Sequence, residues 1–458
     1  MLNQRKTICF VHYGIGWKDG INTVIKTLAG NIKKQEPSVR LCFLGGEIKR
    51  EILDSASYKT IPQLLPRRIK PTKRQVKKRS LAIAEKLAKE TKGMSVVIIE
   101  NPFLGTYHLP AMAGFSIYAR KYKPARTKVF FRIHDLYIDA PQYSKDLQKY
   151  LSSQELKEIA RGEGVDGFLI VNRALGKKLV KEGVPREKIF YLPNGINEKI
   201  FKNPVKKKSG LVQEALGVSA KTKLLVYPVR VVPRKNIEEA VLLTYFIREI
   251  TEDNYGLVVS GKIDKNDPLS RDYYKRLEKL VEIAQFPIVF TKGAFSLERE
   301  CDSKGEIKKL GIGDLYHNSQ AIIMTSLREG FGYPFLECWF AKKIVIGRRI
   351  EEVVNDFEKS GFDFKWLYRC FSVQGKDLPR LKSEEHFKGI KKAIEIFKNP
   401  GLKKQVFKEN KANIMKQIKL LRDKDLQKRI VKVNLEAAKK TYGISGITKR
   451  FLELIDLK

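Results

Sequence analysis

Hydrophobic positions in the first half of the chain come as short runs, separated by stretches where apolar residues recur every three or four positions. "KTICFVHYG" is a β-branched and aromatic run that ends in glycine. Ile21, Val24, Ile25, Leu28 and Ile32 then fall on one face at helical spacing. Further runs follow at "VRLCFLGG", "MSVVIIEN", "TKVFFRIHD" and "VDGFLIVN". Helical patterns separate them, among them "KDLQKYLSSQELKEIARG" and "RALGKKLVKEG". Strands alternating with helices predict a parallel sheet covered on both faces. Ligands bind such sheets at the carboxyl ends of the strands. That rule singles out Gly14 to Gly20 after the first run and His134–Asp135 after "VFFRI".

The stretch "FYLPNGINEKIFKNPVKKKSG" carries proline, Asn-Gly and a lysine run, and reads as a connection between domains. A second alternating series begins beyond it. It comprises "KLLVYPVR", a helix from about Ile237, "YGLVVSGK", a helix through "YYKRLEKLVEIA", and "FPIVFTKG". A helix ending near Leu310, "QAIIMTS" and "KKIVIGRR" complete it. From about Gly401 the chain is helical and charged, with "ITKRFLELI" as a last amphipathic piece. No internal repeat is present. The expected organisation is α/β, with two doubly wound parallel-sheet domains facing across a cleft. Residues 1–198 form the first, residues 199–435 the second, and residues 436–458 a helix returning to the first.

Bulk composition narrows the class. At 458 residues the chain is too long for one ordinary core, which agrees with two domains. Apolar residues at 43% and aromatics at 10% mark a globular chain. No apolar run approaches the length needed to cross a bilayer. "ICFV" in the opening segment is too short for a signal peptide and reads as a first strand. Five scattered cysteines without a CxxC pair argue against a disulfide framework or zinc site and fit a reducing cytoplasm. The net charge of +39 has an ordinary reading as a lysine-rich surface. Its functional readings are an anionic substrate, an anionic membrane surface or nucleic acid. Arg67 to Ser80, with eight Lys or Arg, is either a solvated helix or a patch for anionic lipid or acceptor.

The chemistry concentrates in "REGFGYPFLE", Arg328 to Glu337. Pro334 suits the first turn of a helix, and Gly330 and Gly332 let the preceding backbone turn sharply. A helix start directs free N–H groups at whatever sits above it, which suits a phosphate. Glu337 lies in that first turn and Glu329 on the loop before it. Carboxylates there are poor phosphate ligands but good acceptors for sugar hydroxyls. A capping glutamate beside an ordinary loop glutamate is the plainer alternative. "VRVVPRK" places Arg230 after the second domain's first strand and Lys235 five residues later. A planar fork and a point charge are the donors a diphosphate would use.

These motifs together resemble the GT-B glycosyltransferases, in particular the retaining family 4 that uses nucleotide-diphosphate sugars. The family's E-x7-E with an internal Gly-Phe-Gly and proline matches Glu329 to Glu337, and its Arg-x4-Lys matches Arg230 and Lys235. "KLVKEGVPREKIFYLPNGIN" and "IGDLYHNSQAIIMTS" resemble further family stretches, and the likeness is strongest from Val165 to Gly347. The resemblance implies that Glu337 binds the ribose of the donor and that Glu329 holds hydroxyls of the transferred sugar. Backbone N–H groups near Phe331, Gly332 and Tyr333 would help. Arg230 and Lys235 would neutralise the leaving diphosphate, and His134 would stand near the anomeric carbon. His12, His108, His317 and His386 lack such support and read as structural or surface residues.

The sequence departs from the family in three places. Asp19–Gly20 stands where the family often has Gly-Gly, so Gly20 matches while Asp19 adds a side chain on the acceptor side, together with Asp135. "RRIEEVVNDFEKSGFDFKWLYRCF" replaces a second glycine-rich, acidic stretch after Gly347. "ENPFLGTYHLP" and "HDLYIDAPQ" resemble a subgroup acting on small solutes such as glucosylglycerate. The implied function is a retaining, metal-independent transfer of a hexose, from a UDP- or GDP-linked donor, to an acceptor hydroxyl. No cofactor beyond the sugar nucleotide is implied. Alternatives are a membrane-surface enzyme with a lipid or polysaccharide acceptor, a phosphorylase or epimerase of the same fold, and a nucleic-acid-binding protein. The last lacks aromatics within the main basic run, which nucleic-acid binding would need.

Overall fold

The computed structural model describes the chain except residues 1–5, 18, 67–71, 104–108, 137–146, 203, 206–209, 262, 264–266, 379–386 and 457–458. It divides into two compact units, Met1–Ile196 with Thr441–Lys458, and Asn197–Lys440.

The first unit holds a seven-stranded sheet. Its strands are β1 (Thr7–Val11), β2 (Arg40–Gly45), β3 (Ser57–Thr60), β4 (Val96–Glu100), β5 (Lys128–Ile133), β6 (Gly167–Ile170) and β7 (Ile189–Tyr191). The order is β3-β2-β1-β4-β5-β6-β7 and every pairing is parallel. Strands covered on both faces need continuous apolar runs, and β4 and β6 are buried at every residue. The strand order reverses at the β1–β4 pair, the kind of point where ligands bind open α/β sheets. The helix Gly20–Gln35 buries Val24, Ile25, Leu28 and Ile32, the stripe read from spacing. The helix Ile444–Leu454 buries Ile447, Phe451 and Leu452 in the same core as Ile8, Phe10, Ile25 and Leu28. Chain return is secured where the N–H of Ile196 donates to the carbonyl of Tyr442 at 2.9 Å.

The second unit holds β8 (Lys223–Tyr227), β9 (Tyr255–Val259), β10 (Ile288–Phe290), a hairpin of β11 (Glu300–Cys301) and β12 (Ile307–Lys309), and β13 (Ala321–Met324) and β14 (Ile344–Gly347). The sheet order is β10-β9-β8-β13-β14, again all parallel. Behind β8 runs the helix Ile237–Thr251, whose buried residues cover nearly its whole circumference.

Three local expectations give way. The helix expected to end near Leu310 is replaced by the β11–β12 hairpin, and a helix begins only at Ile312. Turn chemistry decides this: Asp302 Oδ1 accepts from the N–H of Lys304 and of Glu306, both at 2.9 Å, and Gly305 adopts φ +84°. The helix expected through residues 145–162 is interrupted at 149–152, and a new one, Ser153–Arg161, is started by a Ser152–Glu155 capping box; residues 145–146 lie outside the described part. Phe190 and Tyr191, read as the start of a connection, belong to edge strand β7. The basic run resolves into the capped helix Lys73–Glu90 with Val76, Ile83, Ala84 and Leu87 buried; its residues 67–71 lie outside the described part. His108 and His386 also lie outside the described residues. Among the described residues no helix is long and apolar enough to cross a membrane.

Candidate functional site

In the second unit, the segment after β8 turns back on itself so that Lys235 ends a one-turn 3-10 helix, Pro233–Lys235. Tyr227, at the end of β8, fixes that turn: its hydroxyl donates to the carbonyl of Lys235 at 2.5 Å and lies 2.8 Å from Ser326 Oγ. Gly261, after β9, permits the close approach, since a Cβ there would overlap the Val229 carbonyl oxygen. Lys235 is buried and its ammonium is ion-paired with Glu329, also buried. Arg234 adds a second contact, with Nη1 3.5 Å from Glu329 Oε2 and donating to the Arg328 carbonyl at 2.9 Å.

The electrostatics follow from burial and pairing. Burial alone would raise the Glu329 carboxyl, but Lys235 and Arg234 outweigh it and hold the group below the usual carboxylate range. Burial pushes the Lys235 ammonium down to about 8; Glu329 opposes that, while Arg234 and Arg230 add to it. Arg230 itself is exposed.

The loop from Gly330 reaches the helix Pro334–Phe340 through Gly332 at φ +82°. A Cβ on Gly332 would meet Val353 Cγ1 at 2.6 Å, so glycine is required both by conformation and by packing. Phe331 is buried with its ring edge-on to Tyr333 (5.1 Å between centroids) and to Phe357 (6.0 Å). Glu337 receives a hydrogen bond at Oε2 from the Tyr316 hydroxyl at 2.7 Å. Burial raises the Glu337 carboxyl and Tyr316 offsets part of the rise.

In the first unit, Gly20 opens its helix with no heavy atom within 4 Å of where a Cβ would stand, so local packing does not demand glycine there. Asp19 caps the helix. Its Oδ1 accepts from the N–H of Asn22 at 2.8 Å, and its Oδ2 from Asn22 Nδ2 at 3.0 Å. The carboxylate expected on the acceptor side is thus engaged by its own helix. His134 is buried after β5, and Asp135 is exposed. Asn101 Oδ1 receives the backbone N–H of His134 at 3.3 Å and of Asp135 at 3.1 Å. Asn101 holds φ +52° to do so, a left-handed conformation that concentrates at functional sites.

His134 Nε2 lies 2.8 Å from Oε2 of Glu100, the last residue of β4. Arg132 Nη1 reaches Glu100 Oε1 at 3.5 Å, and its Nη2 donates to Asn194 Oδ1 at 3.0 Å. His12 Nδ1 lies 3.2 Å from the Glu100 carbonyl. Burial would raise the Glu100 carboxyl, yet Arg132 and His134 hold it below its usual range. Burial lowers His12.

The structure therefore brings Lys235 and Glu329 into contact, and places Phe331, Gly332, Tyr333 and Glu337 on the loop and helix that follow. Sequence reasoning missed Arg234 and Tyr316, and the cluster of His12, Glu100, Arg132 and Asn194, with His12 set aside as structural or surface. One signal was present: Glu100 is a carboxylate closing the fully apolar run "VVII". Among the described residues no group of three or more His, Cys, Asp or Glu is arranged to hold a metal ion.

No family model matches the chain. It is 28% identical over 267 residues to mannosylglucosyl-3-phosphoglycerate synthase of Petrotoga mobilis, covering 57% of this chain and 46% of that protein. It is 25% identical over 424 residues to mannosylglucosylglycerate synthase of the same organism, covering 86% of this chain and 94% of that protein. Among solved structures, Anabaena HepE in complex with UDP and glucose superposes with a TM-score of 0.62 at 13% identity, covering 99% of this chain and 100% of that one. A glycosyltransferase from Rickettsia africae superposes at 0.61 and 15% identity, covering 99% and 98%. With its two parallel, Rossmann-like sheets, the chain has the GT-B fold of glycosyltransferases.

Proposed function

We propose that the chain transfers a hexose from a nucleotide-diphosphate sugar to a hydroxyl of a small anionic acceptor of the glucosylglycerate type. Transfer would proceed with retention of configuration and without a metal. The observation that carries this reading is the buried Lys235–Glu329 pair, set on the same loops that lead to the Tyr316-held Glu337. One cation and two carboxylates there divide the tasks a sugar nucleotide imposes. Lys235, with Arg230 nearby, meets the charge that the leaving diphosphate builds, while Glu329 and Glu337 accept hydrogen bonds from sugar hydroxyls and ribose.

Donor binding would draw Lys235 from an ion pair into contact with phosphate oxygens, freeing a Glu329 oxygen for a hydroxyl. His134 would meet the transferred sugar, and Asp135 the acceptor. The donor class is supported by the UDP-bound HepE structure, and the acceptor class by the synthase activities for which the two Petrotoga proteins are named. The chain matches less than half the length of the first of these, so its own substrates are proposals. The exposed Lys73, Arg74, Lys77 and Lys78 supply a basic surface that would attract an anionic acceptor.

The test is product analysis with UDP- and GDP-linked hexoses, with and without glucosylglycerate or its 3-phosphate, in the presence and absence of a chelator. Acceptor-dependent release of nucleoside diphosphate, with an α-linked product from an α-linked donor and no loss under chelation, is expected. Recovery of an epimerised but intact sugar nucleotide, or capture only by anionic vesicles carrying a lipid acceptor, would replace this reading.

A further inference from the structure

We propose that Glu100 is a positioning residue that fixes the tautomer of His134. Nδ1 then becomes the ring nitrogen that meets the substrate, and a sugar hydroxyl, rather than an anionic oxygen, the group it receives. The substrate part of this inference rests on the function proposed above; the tautomer part does not.

The argument starts from what each atom of Glu100 faces. Oε2 lies 2.8 Å from His134 Nε2, and Oε1 faces the Arg132 guanidinium at 3.5 Å. Both oxygens belong to a side chain with no solvent exposure. Beside a guanidinium that never loses its charge, the carboxyl stays ionised and can only accept hydrogen bonds. A 2.8 Å contact with such an oxygen therefore requires a proton on His134 Nε2. A neutral imidazole carries one N–H, so Nδ1 holds the lone pair.

That nitrogen makes no hydrogen bond among the described residues, whereas the backbone N–H of His134 is held by Asn101 Oδ1. The ring is thus anchored from two sides and leaves one acceptor uncommitted. An acceptor nitrogen pairs with a hydroxyl proton and repels a phosphate oxygen. Neutral His134 is thus a poor partner for the diphosphate, which the proposed function gives to Lys235 and Arg230.

The other charged neighbours do not change the assignment. His12 faces the Glu100 carbonyl through Nδ1 and lies near Asp19; burial favours its neutral form. Asp135 is exposed and turned to His134 only through the shared Asn101 anchor. The arrangement matches the way a buried carboxylate holds a working imidazole in other enzymes, where replacing it by an amide leaves geometry intact but selects the wrong tautomer.

The test uses the full chain labelled with 15N-histidine. Two-bond 1H–15N correlation spectra report which ring nitrogen carries hydrogen, and loss of one signal set in His134→Asn assigns the residue. The expected wild-type result is an Nε2-protonated neutral ring with a bare Nδ1. In Glu100→Gln the amide no longer demands a proton on Nε2, and the Nδ1-protonated form of His134 appears. With an active donor and acceptor, kcat of Glu100→Gln falls at least ~10-fold while donor KM changes less than ~3-fold. Glu100→Asp, which keeps the carboxylate, retains the Nε2-protonated form in part. An Nδ1-protonated wild-type ring, or a ring that stays wholly Nε2-protonated in Glu100→Gln, overturns the proposal. Should Glu100→Gln not fold, the tautomers of the wild type and of Glu100→Asp decide alone. The expected tautomer without turnover on any sugar nucleotide would refute the proposed function and leave Glu100 as the anchor of His134.

Discussion

Lys235 donates to Oε1 of Glu329 across 94 residues of chain, and both side chains are buried. The proposed phosphate cation and the proposed hydroxyl acceptor are thus each other's partner. A buried pair costs desolvation on both sides, and breaking it by removing one member leaves the other uncompensated.

The first prediction concerns pH. Burial sets the Lys235 ammonium near 8, so its charge is present at neutral pH and lost as pH rises through that value. In kcat/KM, which reports the free enzyme, an alkaline limb is expected near pH 8. Bound diphosphate favours the charged form, so the limb in kcat lies higher. Lys235→Arg abolishes the limb, and a limb unmoved in that variant assigns it elsewhere. The same depression means that the folded chain binds fewer protons at Lys235 than the unfolded chain between about pH 8 and 10. This group's contribution to stability therefore falls as pH drops through that window and rises with pH across it.

Removal of the cation should be costly twice over. Lys235→Ala is expected to lower turnover at least ~100-fold, the scale of losing one transition-state charge donor. It should also destabilise the fold by about 3 kcal/mol, because buried Glu329 is left with only the longer contact to Arg234. The double variant Lys235→Ala with Glu329→Gln regains part of that stability and none of the activity. Denaturant titration beside steady-state kinetics separates the two effects, and equal melting of the single and double variants contradicts the buried-pair account.

In the proposed function Tyr316 acts on the donor through Glu337, to which its hydroxyl donates. Tyr316→Phe removes one hydrogen bond, a change of about 1 kcal/mol, and donor KM is expected to rise about 5-fold with kcat within about 2-fold. The carboxyl of Glu337, already raised by burial, rises further without its donor. The acid limb of donor binding therefore moves to higher pH. A fall in kcat without a change in KM would place Glu337 at the reacting centre instead of at the ribose.

Gly332→Ala meets both a left-handed backbone and Val353 at 2.6 Å. A loss of about 2 kcal/mol is expected from the strain alone, with weaker donor binding because the Phe331–Tyr333 segment must shift. Calorimetry on the variant checks the first part, and an unchanged melting temperature removes the argument.

The returning helix is a structural claim with its own check. Phe451 is fully buried against Phe10, with ring centroids 6.3 Å apart. Phe451→Ala is expected to destabilise the first unit by about 3–5 kcal/mol. A variant that melts like the wild type would mean the helix adds little to that core.

Both parallel sheets were legible in the alternation of apolar runs and helical stripes, because a strand buried on two faces has no polar positions to blur it. The edge strands of the first sheet were not: β3 reads "SYKT", with no buried residue, and the half-buried β7 hides within a turn-rich segment. The β11–β12 hairpin escaped because its turn depends on Asp302 closing on Glu306, a local bond that periodicity does not record. Glu329, Glu337, Arg230 and Lys235 could be singled out as candidates in the sequence, since each motif lies within one short segment. The Glu100–His134 and Tyr316–Glu337 contacts join residues 34 and 21 apart on different elements. Only the fold brings them together.

The central claim is transfer of a hexose from a nucleotide sugar to an anionic acceptor. Its most direct test measures release of nucleoside diphosphate from UDP- and GDP-hexoses as glucosylglycerate or its 3-phosphate is titrated in. The account predicts saturable, acceptor-dependent release with equimolar glycoside formed, abolished in Lys235→Ala. Release of diphosphate that ignores the acceptor and survives in Lys235→Ala would contradict it.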